Sequence, residues 1–438
     1  MIFLNRIQRC FNIDLRALAI FRIAISFCII VDLITRFTTI DIFQTANGFL
    51  PRESHLGLFK YLPHYWNDSY FFQVTLFAIA ILFAFFLLLG WYTRIVTFVT
   101  WIMLVSLHYK LGMSVDGADS FLRGLIFWSI FLPLGNYWSI DSRKIKEKRT
   151  IYFSLAGIPI ILLFICYYFS AGISKLNDFW IAGSAIEIIL RQEVWLRPTG
   201  EFLSQYPSLL NILTKGVVFF EILFPFLLLV PQQFYRVRII TIFCFLFFQI
   251  GIGISLELNM MPWIATAALF IFLPSSLWNK NSITNKDLVV DHEPIKNLIL
   301  IPLIIYVFGG FIIQKSNASL PLYSQAFSLG LLSTWNFYDF PPQEDFDYCI
   351  IAQLKNGENI NILSSLNEKT NWKEPVMNSL WQNYRFKYYL ERIHYQDSIY
   401  GNYFLNWIVA KWNIENHPNQ VDSAQLICVT NSILEENG

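Results

Sequence analysis

The chain has 438 residues, of which 55% are hydrophobic, 18% aromatic and only 14% charged, with a net charge of +1 and a mean hydropathy of +0.46. Apolar content is far above the globular average and charge far below it, and the apolar residues gather in runs, which marks a polytopic membrane protein. A balanced charge with no clustered basic face argues against a nucleic-acid partner.

Nine stretches are candidate spans, judged against the roughly 20 apolar residues that a helix needs to cross a bilayer; the third, fourth, sixth and eighth are short of it, as spans tilted less, partly buried in protein or bounded differently would be. They run from Leu15 to Ile34, Tyr70 to Leu89, Ile95 to His108, Phe121 to Gly135, Tyr152 to Gly172, Val217 to Val230, Ile239 to Leu256, Pro262 to Leu277 and Leu298 to Ile313. The first is full length with no small-residue cleavage site after it, so it reads as an uncleaved signal anchor. Arg6, Arg9 and Arg16, then Arg94, the basic run Arg143 to Arg149, and Arg236 with Arg238 all fall on one side if the spans alternate. The excess of Lys and Arg marks the cytoplasmic side, so the N-terminus is expected inside and the C-terminus outside, in a bacterial inner membrane.

After Lys315 the composition turns polar. Cys349 to Leu354 and Asn359 to Leu363 flank Lys355-Asn356-Gly357-Glu358, the pattern of a hairpin with a type I′ turn. Helices are expected around Val376 to His394 and Tyr403 to Trp412, with a last strand from Ala424 to Thr430. The expected fold is therefore an all-α polytopic membrane bundle of about nine helices, residues 12–314, followed by a small α+β extracytoplasmic domain, residues 315–438. Cys349 and Cys428, both on expected strands, could form a disulfide or remain two buried thiols. No C-x-x-C pair occurs among the six cysteines, which excludes zinc-ribbon and thioredoxin-type spacing.

A lysine ends the fifth span. Tyr168, Gly172 and Lys175 fall at i, i+4 and i+7 on one helix face. A charge at that depth is expensive and marks a functional site unless it snorkels to water. Gly172 would let a neighbouring helix or a flat ligand come close. An amine enclosed by Phe169 and Trp180 could serve as a general base, whereas pairing with Asp178 three residues on would keep it protonated.

Other charges at depth read mainly as structural pairs. Asp32 and Arg36 have i, i+4 spacing, and Asp116, Asp119 and Arg123 surround the start of the fourth span. Glu221 has only apolar neighbours in its own span. No two of the six histidines fall at ligand spacing, so no metal is expected; His108 with Asp116 and Asp119 is the one cluster to inspect. No G-x-S-x-G, Walker A or G-x-G-x-x-G motif is present. Trp381, Tyr384 and Tyr388 form an aromatic stripe that suits a core face or a headgroup belt. Asn317-Ala318-Ser319 is a glycosylation acceptor in a eukaryotic host alone.

Several stretches taken in order resemble the HTTM (horizontally transferred transmembrane domain) family, whose best-known member is the vitamin K-dependent gamma-glutamyl carboxylase. They are Leu15 to Ile23, Asp119 to Arg123, Phe131 to Asp141, Ala171 to Trp180, and Glu221-Ile222-Leu223-Phe224-Pro225. The tail, with Trp335 ahead of Phe340-Pro341-Pro342 and then Asn383-Tyr384-Arg385, is similar to tails of bacterial members. The resemblance implies that Lys175 matches the base that deprotonates reduced vitamin K before oxygen adds, while Ser174 replaces the lysine that precedes it; Trp180 and Gly183 match as well. Two histidines of the carboxylase are replaced by Asn136 and Gln249. The resemblance thus implies reduced vitamin K or menaquinone as the small-molecule partner, with Tyr168, Gly172, Asn136, Trp180, Glu221 and Gln249 around it, and a secreted peptide or protein as a further substrate. A non-catalytic membrane factor for export or maturation of a secreted peptide is the rival reading, and a transporter, lacking an inverted repeat, is a weaker third.

Overall fold

A computed structural model describes residues 9–50, 58–145, 149–231, 234–278, 288–290, 294–313, 321–332, 338–362, 383–396, 398–415 and 418–432. Trp335, Trp381, His292, His417 and the Asn317-Ala318-Ser319 triplet lie outside the described residues.

Among the described residues, six helices are long and apolar enough to cross a membrane. They are α1 (Leu15–Phe37), α2 (Tyr70–Leu89), α3 (Thr93–Leu111), α5 (Gly157–Ser174), α6 (Pro207–Leu227) and α7 (Tyr235–Ser255), with the shorter α4 (Gly117–Ser129) between α3 and α5. The nine expected spans are therefore not all of spanning length. The fourth stops at Ser129 ahead of the loop that carries Pro133 and Gly135; the eighth is α8 (Met261–Leu269) with one 3-10 turn, Phe270–Phe272. The ninth, α9 (Pro294–Ile313), is 20 residues long and carries Pro302 inside it. The sixth starts ten residues before its expected Val217, because Pro207 opens the helix at N1, where its missing N–H costs nothing. The fifth starts late because Tyr152 belongs to a strand.

That strand, β2 (Ile151–Phe153), pairs antiparallel with β1 (Ile13–Asp14) and parallel with β3 (Leu288–Val290). The sheet gathers three distant points of the chain at one end of the bundle. Asp14 caps α1 there: its carboxylate accepts from the Arg16 amide at 2.8 Å and pairs with the Arg16 guanidinium at 2.7 Å. The loop after α4 belongs to the same end. Asp141 accepts from the amides of Tyr92 and Thr93 at 3.0 and 2.9 Å, and the Trp138 carbonyl accepts from Arg22 at 2.6 Å.

The outward faces of α2, α6 and α7 carry Phe71, Phe219, Ile240, Phe243 and Phe247, all more than half exposed. A belt of that size on three spanning helices is solvated by lipid tails. Contact with the bilayer follows directly.

The C-terminal residues form β4 (Glu344–Leu354), β5 (Asn359–Asn361) and β6 (Val421–Ser432) in the order β5-β4-β6, with α10 (Tyr384–Gln396) and α11 (Ser398–Glu415). The expected hairpin is present, but its turn differs. Gly357 alone takes a positive φ, +87°, and Asn356 does not, so a four-residue loop replaces the type I′ turn, which needs two such residues. Cys349 faces Ile427 across the ladder and Cys428 faces Tyr348. Cβ direction alternates along a strand, so the two cysteines lie on opposite faces and are not joined.

This unit sits at the end of the bundle opposite the three-stranded sheet, where Arg385 of α10 reaches Asp32 near the far end of α1. Further along α10, Glu391 is half-buried, with Arg392 and Trp195 as its neighbours. Burial pushes its carboxyl up to about 7, with Arg392 and the hydrogen bond from Trp195 holding it back. A carboxyl raised in the folded state binds its proton more tightly folded than unfolded, so stability is lost as pH rises from the ordinary carboxyl range to about 7. Thermal unfolding followed across that window should show the midpoint falling with pH, and Glu391→Gln should flatten the slope; an unchanged slope refutes the assignment.

Candidate functional site

Lys175 is the C-cap of α5 and is 2% exposed, so its ammonium does not snorkel. Its partner is Glu221, whose Oε2 lies 2.9 Å from Nζ. The nearby acids take no part. Asp178 is exposed at the start of the next short helix, Asp178–Ala182, because the chain turns at Leu176-Asn177, and Glu187 pairs with Arg191 at 2.8 Å. The alternative pairing of Lys175 with Asp178 therefore does not form, and a contact 46 positions apart in sequence stands in its place.

Gly172 makes that contact feasible. A Cβ built there would meet Ile222 Cγ1 at 2.7 Å and the Ile222 backbone nitrogen at 2.9 Å. The space goes to helix α6 rather than to a flat ligand, and it brings Glu221 against the last turn of α5. Pro225 stands four residues after Glu221 inside α6 and supplies no N–H to the Glu221 carbonyl, so the local ladder is interrupted beside the charged pair.

The polar chain extends inward from there. Tyr168, two turns before Lys175 on the same face, lies close enough to Glu221 to feel its charge, and its hydroxyl accepts a hydrogen bond from Gln249 Nε2 on α7. Gln249 Oε1 is buried with no hydrogen-bond partner among the described residues. Phe164, Phe220 and Phe245 wall this layer with ring centroids 4.6 to 5.5 Å apart. Outward, the Lys175 ammonium sits 5.2 Å from the centroid of the Trp180 ring, whose Nε1 donates to the carbonyls of Tyr338 and Asp339 at 2.9 and 3.1 Å. The Asn177 side chain donates to the same Asp339 carbonyl at 2.7 Å. Residues 338–339 thus close the outer end over the lysine.

Five of the six residues expected around Lys175 are brought together: Tyr168, Gly172, Trp180, Glu221 and Gln249. Asn136 is not. It follows Gly135, which packs on Thr93 and Asp141 at the three-stranded-sheet end, whereas Lys175 ends the 18-residue α5 that starts from that end, a helix length of about 27 Å. The Phe131-to-Asp141 stretch has a structural use instead, since Asp141 caps α3 and Trp138 holds Arg22.

A second buried cluster lies at the Lys175 end, between α1, α3, α4 and α10. The Asp32–Arg36 pair forms as its spacing indicates, at 2.7 Å. Asp119 closes a capping box with Asp116 and accepts from Arg36 at 2.5 Å and from Arg385 at 2.5 and 2.9 Å. His108 Nε2 lies 3.5 Å from Asp119, and its Nδ1 is 3.0 Å from Arg123. Ligand atoms of Asp32, His108 and Asp119 fall within 4.8 Å of one another, the spread of a metal site. Arg36 and Arg385 already occupy the carboxylate lone pairs, and two guanidinium groups at that range oppose a cation. Arg385 is named from the sequence only within the Asn383-Tyr384-Arg385 tail resemblance, which does not place it in this cluster. Its signal was numerical, since Asp32, Asp116 and Asp119 exceed the Arg36 and Arg123 available to them.

A family model for the HTTM domain matches residues 11–278. No curated protein matches the chain, and no solved structure does. The matched range holds α1 to α8, Lys175 with Tyr168, Gly172, Trp180, Glu221 and Gln249, and every member of the second cluster except Arg385.

Proposed function

From the premise that this chain belongs to the HTTM domain family and is an integral membrane protein, we propose that it is a quinol-dependent enzyme of the inner membrane with Lys175 as base. One observation carries the reading: Lys175, Glu221, Tyr168 and Gln249 form a buried polar chain across α5, α6 and α7. Such a chain is costly to maintain in a bundle that apolar residues would hold equally well. Reduced menaquinone or vitamin K, arriving from the bilayer as substrate, would supply an ionisable hydroxyl and the electrons that reduce oxygen.

The residues fit a two-headed aromatic diol. Gln249 Oε1 is a buried acceptor in need of a donor, and the Phe164, Phe220 and Phe245 rings offer an apolar wall. A buried Lys–Glu pair in its neutral form holds one proton between two sites. With that proton on Glu221, Nζ of Lys175 has a lone pair for a substrate hydroxyl; once it has accepted, the substrate oxyanion and the Trp180 face balance the ammonium, while Glu221, still a neutral acid, stays within 2.9 Å of Nζ. Tyr168 holds Gln249 in orientation. The C-terminal unit, read as extracytoplasmic, closes the site and is the surface nearest a secreted peptide substrate.

Purified protein given reduced menaquinone or vitamin K and oxygen should yield the quinone epoxide by mass spectrometry, and Lys175→Met should abolish it. Equal product from both, or none from a well-folded wild type, sinks the enzyme reading. The second outcome is the one expected of a non-catalytic export or maturation factor, which the complete pairing of Lys175 by Glu221 favours.

A further inference from the structure

The C-terminal unit carries a separate constellation that no step at Lys175 uses. Cys428 Sγ on β6 lies 3.3 Å from His394 Nδ1 on α10, and His394 Nε2 lies 3.7 Å from Glu344 Oε2 at the start of β4. Three elements build it. The antiparallel register sets Cys428 opposite Tyr348, on the sheet face that α10 covers, and the Tyr348 hydroxyl donates to the Leu390 carbonyl of that helix at 3.1 Å. Glu344 belongs to the same face as Tyr348, four residues along the strand. His394, in the last turn of α10, drops between them.

The order of atoms distinguishes two chemistries. A metal would need the thiolate, one ring nitrogen and the carboxylate turned toward a common point. Here sulfur and carboxylate address the two different nitrogens, from different edges of one imidazole, which is the arrangement of nucleophile, base and orienting acid. The His394 side chain is 17% exposed and that of Glu344 53%, and Cys428 is half-buried, so the group lies near the surface of the unit rather than deep in its core.

We propose that Cys428 and His394 form a second reactive centre, a thiol that accepts an acyl group from an activated ester or thioester. The Cys428 thiol gives its proton to His394 Nδ1 and its sulfur bonds to the acyl carbon. The bond to the alcohol or thiol leaving group breaks, and that group departs with the proton from His394. No change of oxidation state occurs, and the product is an S-acyl cysteine. Glu344 is a positioning residue that holds the imidazole with Nδ1 toward sulfur.

The test uses the full-length protein in detergent with p-nitrophenyl acetate, read by intact mass and peptide mapping. Cys349, one register position away on the opposite face, is the internal reference. Near pH 7 an ordinary thiol is about 3% ionised, so a thiol activated by a base should label about thirtyfold faster than the reference, with the two rates converging above about pH 9. His394→Gln should remove the advantage at neutral pH and leave the rate at high pH unchanged; Glu344→Gln should shift the pH profile without abolishing labelling. A wild-type profile in which Cys428 follows Cys349 at every pH overturns the proposal irrespective of how any variant folds. Quinol oxidation is not read by this assay, so the two readings stand or fall separately.

Discussion

Replacing Asp119 by Ala should destabilise the protein by about 3–5 kcal/mol, the usual cost of stripping one partner from a buried charge network. Asp119 is 2% exposed and takes both Arg36 and Arg385, so its loss leaves three buried arginines, with Arg123, facing Asp32 and Asp116 alone. Arg385 keeps the Ser114 carbonyl at 3.0 Å and contacts of 3.4 and 3.5 Å to those two carboxylates. Because Arg385 is on α10, the effect should go beyond a lower unfolding temperature. The C-terminal unit should come away from the bundle and become a target for limited proteolysis. Adding Arg385→Met to Asp119→Ala should recover part of the unfolding temperature while the unit stays undocked, since the second change removes the stranded cation but makes no new tie. A single variant with wild-type unfolding and proteolysis would show that the cluster is incidental.

The second large effect concerns Lys175 and Glu221. Lys175→Met alone leaves a buried carboxylate without its ammonium, again about 3–5 kcal/mol. Lys175→Met with Glu221→Gln removes both charges and should restore most of the unfolding temperature, a coupling of a few kcal/mol in a double-mutant cycle. Quinol oxidation should be absent in both. The pair of readouts separates a base from a brace: a rescued fold without activity identifies Lys175 as chemically required, whereas activity returning with the fold would make the pair structural. Additive losses in stability would contradict the 2.9 Å contact itself.

Much of this site was legible before its geometry. The i, i+4, i+7 face of Tyr168, Gly172 and Lys175 forms because helical period alone dictates it. Asp32 and Arg36 pair for the same local reason. Glu221 stood out as a charge with no neighbour in its own helix, but periodicity says nothing about which helix lies alongside, so its bond to Lys175 was not readable. Asp178 was the nearest acid in sequence and fails because the helix ends before it. Asn136 was placed by likeness of a short motif, and a motif that caps α3 and seats Arg22 is shared for reasons of folding as readily as of chemistry. The fourth and eighth spans, short in the sequence, are helices too short to cross alone that sit mostly inside the bundle, where buried residues look as apolar as lipid-facing ones.

The small sheet at the far end of the bundle has a consequence in time. Its outer strands, residues 13–14 and 288–290, are separated by nearly the whole membrane domain, and both join through Ile151–Phe153. During synthesis the first strand can find its partner once residue 153 has emerged. The third strand arrives only after α5 to α8 have been laid into the bilayer. The parallel pairing is thus a late, long-range closure, and a nascent chain halted before residue 288 should hold its first four helices yet leave the site of Lys175 unclamped at its base.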